Sequence, residues 1–411
     1  MPERRSNLLG WLSTVAILGA LAGTQARSTF AQTSAPRSPA RLRSLPIDVE
    51  YRGTPWPVRG DDGRYHIAYN LIITNWGLQD FRFSEIQVLD SATGKVLLRL
   101  DSAMLEDPLR LRTTLAVNAK PMPENLILKS GVAALVAVEF SQPGLSATRQ
   151  VLRHSIRFRP DSGVVMVLSG GSTTSELQTF ARNIAVHSRP PIVLSPPVRG
   201  GLWRCGNGLS YNRAHASPYM FEDARLRVPQ RYGCDFARVD SGGNTLPNPF
   251  PDTINSEMFY GYGAQVLAVA DGIITHLTDS IPENIPQADG SIRMPVPFTN
   301  KTVSGNWVSL RIGQNAYAFY AHLQPGSVRV RLGQRVKRGR VLGLLGTSGN
   351  AVGPHLHFHV GDSNSLNGSE SVPFVFDTFT FVGRGYPLPG QGTRRRMELP
   401  LADAIIRFDT P

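Results

Sequence analysis

Three histidines alternate in Pro354-His355-Leu356-His357-Phe358-His359-Val360. Alternate side chains of a β-strand share one face, so the three imidazoles are predicted to point one way while Leu356, Phe358 and Val360 pack inward. Same-face Cα atoms lie roughly 6.5–7 Å apart, which suits one metal ligand beside one acid/base ring. A fourth histidine, His322, ends an apolar run just before Gln324-Pro325-Gly326. Asp235 stands among apolar neighbours in Tyr232-Gly233-Cys234-Asp235-Phe236. A buried carboxylate there needs a cation, either a metal or an arginine.

The elements that must position these side chains read as mainly β. From 47 to 190 the chain alternates short β-branched and aromatic runs with turns. Ile86–Leu89 and Val96–Leu100 flank Ser91-Ala92-Thr93-Gly94 as a hairpin, and Val132–Phe140 and Val151–Phe158 flank Gln-Pro-Gly. Strands at this spacing predict a β-sandwich with no chemistry of its own; His66 and His154 are read as surface or strand-packing residues. Thr173–Ile184 is ambiguous, because a helix-capping pattern opens it but its apolar spacing is thin. The stiff Arg189-Pro190-Pro191 and Ser195-Pro196-Pro197 mark a boundary. A second unit, 191–390, is again strand-rich. Asn306–Ile312 and Ala316–His322 form a hairpin over Gly313-Gln314-Asn315, and Val328, Val330 and Leu332 alternate with Arg329 and Arg331 as a half-buried strand. Residues 391–411 are read as a C-terminal tail.

Composition narrows the class. The chain has 411 residues, 41% hydrophobic and only 18% charged, which excludes a disordered tail protein and a coiled coil. Arg4 and Arg5 precede a mostly apolar run, Leu8–Gly23, and small residues follow it. Residues 1–31 therefore read as a secretory signal peptide, with an uncleaved anchor as the rival reading, and 32–46 as a Pro/Ser linker. The formal charge is +12, and removing three Arg and one Glu with the leader leaves 12 − 2 = +10. The two cysteines, Cys205 and Cys234, suit a disulfide in an oxidising compartment; two buried thiols are the alternative. Closing that loop stabilises by roughly 3.5 kcal/mol on the chain-entropy account. No Gly-x-Ser-x-Gly and no phosphate-loop Gly-Lys-Ser/Thr occurs, so a serine hydrolase and a nucleotide site lack support.

Several motifs in order resemble one family. Gly263-Ala-Gln-Val-Leu-Ala-Val-Ala-Asp-Gly272, Tyr320-Ala-His-Leu, the Gly-rich stretch from Gly333 to Gly349 and Gly353-Pro-His-Leu-His-Phe are similar to the lysostaphin/LytM-type zinc metallopeptidases. The resemblance covers about residues 230–362. It implies an antiparallel β-sheet domain (the duplicated hybrid motif), one Zn2+, and hydrolysis of peptide bonds in bacterial peptidoglycan. By the same resemblance Asp235 and His357 match zinc ligands, and His322 and His355 match catalytic histidines. The family carries a further ligand histidine four residues before the aspartate, where this chain has Arg231. His215 lies in the loop between the cysteines and is the favoured replacement. His359 is a second candidate. A third option is no metal at all, with Arg231 paired to Asp235.

Two functions from different classes follow. One is an exported zinc endopeptidase acting on peptidoglycan peptides. The other is a metal-free module that binds wall or activates another hydrolase. Arg329, Arg331, Arg335, Lys337, Arg338 and Arg340 could attract anionic envelope polymers, or form only a solvated face. A nucleic-acid partner has no motif behind it, and no membrane span is expected after leader cleavage. Trp203, Trp307 and Tyr317 are read as core packing, with a groove wall as the alternative. Residues Pro282–Phe298 are expected to form a lid or groove wall between the matched motifs.

Overall fold

The computed structural model describes residues 40–41, 45–113, 126–146, 150–161, 166–167, 173–210, 214–216, 218–248, 254–287 and 292–408. The leader, residues 1–31, lies outside the described residues. The protein is almost entirely β, in largely antiparallel sheets.

Strand parity explains how the N-terminal half is built. In the strand Tyr65–Asn75, Ile67, Tyr69, Leu71 and Ile73 face one core, which they share with Phe81, Phe83, Ile86, Ile156 and Phe158. That core lies between two sheets. One carries Ile47–Arg59, Tyr65–Asn75, Ala133–Gln142 and Leu111–Arg112; the other carries Val96–Asp101, Phe81–Asp90, Val151–Pro160 and Leu177–Phe180. The intervening residues Ala68 and Ile72 point the other way and pack with residues of the C-terminal half. One strand thus serves two cores, and almost none of it is exposed. Each fully buried Ile or Leu contributes about 1.5–3 kcal/mol.

The C-terminal half centres on a ten-stranded sheet. Its order places Asn306–Gly313, Ala316–Leu323, Leu356–Gly361, Cys234–Val239 and Leu202–Gly206 side by side. In Leu356–Gly361, Leu356, Phe358 and Val360 enter the core. His357 and His359 take the opposite face, as alternation requires. The predicted hairpin over residues 313–315 is present, with Asn315 in the left-handed region at φ 51°. Trp203 is fully buried in the core, whereas Trp307 stacks on His276.

Some expectations fail for identifiable reasons. The segment Thr173–Ile184, left open by the sequence, contains the strands Thr173–Thr174 and Leu177–Phe180, the latter held by pairing with Val151–Pro160; the capping pattern had too little apolar periodicity behind it to make a helix. Val328–Leu332 pairs with no strand among the described residues, although Val328 and Val330 do rest on the core. Arg329 N–H reaches Leu342 O, but Leu332 is 68% exposed, so the alternation stops before a ladder can form. Ala40–Arg41, read as linker, pairs in parallel with Leu177–Gln178. Ala404–Arg407, read as tail, pairs with both Leu202–Gly206 and Phe379–Arg384. Three of its four residues, Ala404, Ile405 and Ile406, are apolar and buried, which is what such a short segment contributes to a sheet.

Candidate metal centre

The ladder sets the first pair of side chains. Asp235 of Cys234–Val239 lies directly across from His357 of Leu356–Gly361. His357 Nδ1 is 2.9 Å from Asp235 Oδ1. On the other flank Asp235 faces Gly206, and the Cys205–Cys234 disulfide ties the same two strands, Cα to Cα 5.5 Å. The loop between the cysteines returns His215 to the carboxylate. His215 sits on the short helical turn Ala214–Ala216, with Nε2 3.3 Å from Asp235 Oδ2. His215, Asp235 and His357 each bring one ligand atom within 4.8 Å of the others. The carboxylate also accepts from Asn207 Nδ2 at 2.7 Å.

His359 does not reach Asp235, and its hydrogen bonds explain its place. Its Nε2 lies 3.1 Å from Leu366 O, a pure acceptor, so that nitrogen carries the proton. Burial and the neighbouring His357 and His215 hold the ring well below the ordinary imidazole pKa, so it is neutral and Nδ1 is bare. Nδ1 therefore accepts from His357 Nε2–H at 2.9 Å. His357 is also lowered, by burial that Asp235 only partly offsets, and its own Nδ1 is left bare toward the carboxylate. Burial would raise Asp235, but His215 and His355, with the hydrogen bond from His215, hold it well below the usual carboxylate range. Two lone-pair donors facing each other at hydrogen-bond distance repel unless a cation lies between them. Burial lowers His215, yet Asp235 and the backbone of Gly233 and Asn207 more than compensate, and the ring sits above its ordinary value. One carboxylate and two imidazoles with convergent lone pairs fit zinc, whose hydrolytic sites take three such ligands and leave a position open.

The other two histidines flank this cluster. His355 Nδ1 donates to Gly353 O at 2.9 Å, and its Nε2 lies 3.8 Å from Asp235 Oδ1. His322 Nδ1 donates to Ser348 O at 2.8 Å. Strict alternation would send His322 into the core with Ala318 and Tyr320. Instead Leu323 is in the core and His322 lines the groove, because its backbone turns left-handed at φ 67°. That conformation costs a non-glycine residue roughly 1–2 kcal/mol. Gly305 makes the supporting loop possible: a Cβ there, at φ 59°, would stand 2.4 Å from the backbone of Ser348. The His322 and His355 rings are 4.7 Å apart. Burial, then the charges of His355 and His357, hold His322 well below its ordinary pKa.

All four groove histidines and Asp235 line one cavity of about 740 Å3. Pro286, Gln287 and Ile292 line it too, so part of the segment Pro282–Phe298 is a groove wall. Glu283 anchors that wall, accepting from Thr347 N at 2.8 Å and from the Tyr262 hydroxyl at 2.6 Å.

The proposed pairing of Arg231 with Asp235 is not what forms. Arg231 turns away from Asp235: its Nη1 donates to Glu370 Oε1 of its own half at 2.7 Å, and its Nε and Nη2 reach into the N-terminal half and donate to Asn70 Oδ1 at 3.0 and 2.7 Å. Nη2 also reaches Arg52 O at 3.4 Å. A buried guanidinium with a carboxylate and two neutral acceptors is already satisfied. Sequence reasoning had no signal for this, since Asn70 lies 161 positions from Arg231. His359 as a ligand is likewise replaced by His359 as a hydrogen-bond partner of a ligand.

Part of the chain matches known proteins by sequence. Residues 256–368 match the family model for peptidase family M23. The match includes His322, His355 and His357 and begins downstream of His215 and Asp235, the stretch where the chain departs from the family motif. The chain is 38% identical over 81 residues to peptidoglycan DD-endopeptidase ShyA of Vibrio cholerae, covering 20% of this chain and 18% of that one. It is 42% identical over 55 residues to peptidoglycan DD-endopeptidase ShyC of the same organism, covering 13% and 12%. The chain thus spans less than a fifth of the length of either relative. Among solved structures, the catalytic domain of the antimicrobial peptidase lysostaphin from Staphylococcus simulans aligns at 25% identity with a TM-score of 0.20, covering 30% of this chain and 82% of that one. Residues 256–368 are the part of this chain that matches peptidase family M23.

Proposed function

We propose that this protein is an exported zinc endopeptidase that hydrolyses peptide bonds in bacterial peptidoglycan. The observation that carries the reading is the convergence of His215, Asp235 and His357 within 4.8 Å, beside two further histidines in one groove. His215, Asp235 and His357 would hold the metal. Zinc bound there would supply a polarised scissile carbonyl and a water acidic enough to be deprotonated near neutral pH. The leader-like N-terminus and the disulfide support export. The metal-free alternative rested on Arg231 neutralising Asp235, and that pair is absent.

The chain's own groups then divide the work. His322 is neutral with its Nδ1–H fixed on Ser348 O, so its bare Nε2 is the base that takes a proton from the attacking water. His355, fixed likewise on Gly353 O, presents its own Nε2 to the same groove. The two rings are close enough to pass that proton on toward the leaving amine. Asn207 and His359 hold the ligands in orientation. The sandwich, 47–190, braces the peptidase unit, 191–390, through Arg231. The exposed arginines from Arg329 to Arg340 are available to anionic wall polymers.

Metal analysis and cleavage of muropeptides test this reading. Purified protein from zinc-replete medium should carry near-stoichiometric zinc and cut cross-linked muropeptides. Asp235→Ala should lose both. His215→Ala should weaken zinc binding by more than about 100-fold, beyond what an outer partner costs. Zinc-free wild-type protein under these conditions, or unchanged zinc in His215→Ala, would overturn the assignment.

A further inference from the structure

Arg204, unlike Arg231, lines the groove, and its Nε has no hydrogen-bond partner among the described residues. It belongs to the strand Leu202–Gly206, where Gly206 lies across from Asp235. Arg204 is two residues away and therefore on the same face, roughly 6.5–7 Å along the strand. Both residues line the groove. Its cross-strand neighbours are Ala237 on one side and Ile405 on the other, neither charged. Its Nε is buried with no hydrogen-bond partner, and among the described residues no carboxylate pairs with its guanidinium. Asp240, further along the neighbouring strand's exit, is spent on the backbone N–H groups of Gly242 and Asn244.

A buried arginine N–H without a partner is costly, and a ligand that accepts from it would remove that cost. Among the described residues that line the groove, Asp235 is the one carboxylate and Arg204 the one lysine or arginine. A divalent cation on Asp235 would leave the groove with a net charge of about +2, a field suited to an anion. A planar fork of N–H donors matches a carboxylate in particular.

We propose that Arg204 binds a free carboxylate of the peptide substrate close to the scissile amide and so selects acidic over amidated peptides. The inference rests on the endopeptidase reading and names what that site prefers. Two sources share this chemistry. One is the α-carboxylate left free when a diamino acid is cross-linked through its side-chain amine. The other is the terminal carboxylate of a short peptide.

Three synthetic cross-linked peptides test it on the full chain. The first carries a free carboxylate on the residue following the scissile amide, the second is its amidated twin, and the third has a free carboxylate only at the peptide terminus. Wild type should cut the preferred acid roughly 10- to 100-fold faster in kcat/KM than the amide. Whichever acid is preferred identifies the source. Arg204→Gln should slow only that acid, closing the gap to within about twofold. Arg204→Lys should keep part of the preference, which guards against a folding defect in the first variant. Equal cleavage of acid and amide by wild type, or an equal loss on both in Arg204→Gln, overturns the proposal. If wild type cuts none of the three, the endopeptidase reading fails, and calorimetric binding of acid against amide still decides the role of Arg204.

Discussion

Two regions of this molecule bury imidazoles and reach opposite chemistry. In the sandwich, His154 is fully buried between two phenols. Tyr51 gives its proton to Arg182 O, so it accepts from His154 Nδ1–H at 3.1 Å. His154 Nε2 is then bare and accepts from the Tyr69 hydroxyl at 2.6 Å. Every proton has a place, and burial alone pushes the ring's pKa down to about 3. In the metal centre the burial is similar, but a carboxylate stands at the hub. The same tautomer logic there ends on a bare nitrogen facing a bare oxygen. Desolvation by itself makes a neutral, inert ring; desolvation around an ionised carboxylate makes a set of groups that could hold a cation.

The largest effect expected from this contrast is acid destabilisation through His154. Its folded pKa, about 3, lies below the unfolded value of 6.5. Between those values the unfolded chain binds the extra proton, so stability rises with pH. The contribution is complete above pH 6.5 and is lost as pH falls toward 3, on the order of 4–5 kcal/mol in all. His154→Phe removes the titration. At pH 7 it should be the less stable protein by about 1–3 kcal/mol, because two buried hydroxyls lose a partner. At pH 4 the wild type should have lost about 3 kcal/mol that the variant keeps, so the gap closes or reverses. Urea midpoints at the two pH values measure this. A gap of the same size at both would show that burial does not govern the ring. Zinc affinity of the variant should equal that of wild type.

His359 sharpens the comparison from the other side. It is as buried as His154, and its role is carried by one hydrogen bond to His357. His359→Leu keeps the bulk apolar and removes the acceptor that puts the His357 proton on Nε2. His357 can then place that proton on Nδ1, against Asp235, where it competes with a metal. Zinc affinity should fall about 10- to 100-fold, and the imidazole nitrogen shifts of metal-free His357 should report a mixed tautomer. An unchanged affinity would make His359 a packing residue like His154.

How much of this could be read in advance depends on how local the cause was. The His355–His359 alternation announced its own strand, and Asp235 among apolar residues announced a buried charge. His215 was reachable only through the cysteine pair, which told that its loop returned to Asp235. His322 was recognisable by motif but not by geometry, since strict alternation points it into the core and a single left-handed residue reverses that. The pairing of Ala404–Arg407 and the destination of Arg231 were not legible. Each depends on partners far away in the chain, and neither leaves a periodic trace. The basic alternation at Val328–Leu332 was visible but misleading, because a pattern of faces does not supply a neighbouring strand.

The smallest expected effect lies where the two regions meet. Gly53 interrupts the strand Ile47–Arg59 at a register shift, with φ 74°, and a Cβ there would stand 2.5 Å from Arg231 Nη1 and 2.8 Å from its Cζ. The glycine exists so that the guanidinium can lie against the backbone and reach Asn70, Arg52 O and Glu370. Gly53→Ala should therefore cost about 1–2 kcal/mol from the left-handed backbone alone, with a further loss if Arg231 is pushed from its acceptors. Because Arg231 touches none of the metal-centre residues, zinc affinity should stay within about twofold of wild type. A denaturant midpoint and a zinc competition titration on the same variant separate the two outcomes. If zinc binding fell in step with stability, the sandwich would be shaping the metal centre and not merely bracing it, and the division between inert and ligand-bearing histidines would no longer follow the boundary between the two cores.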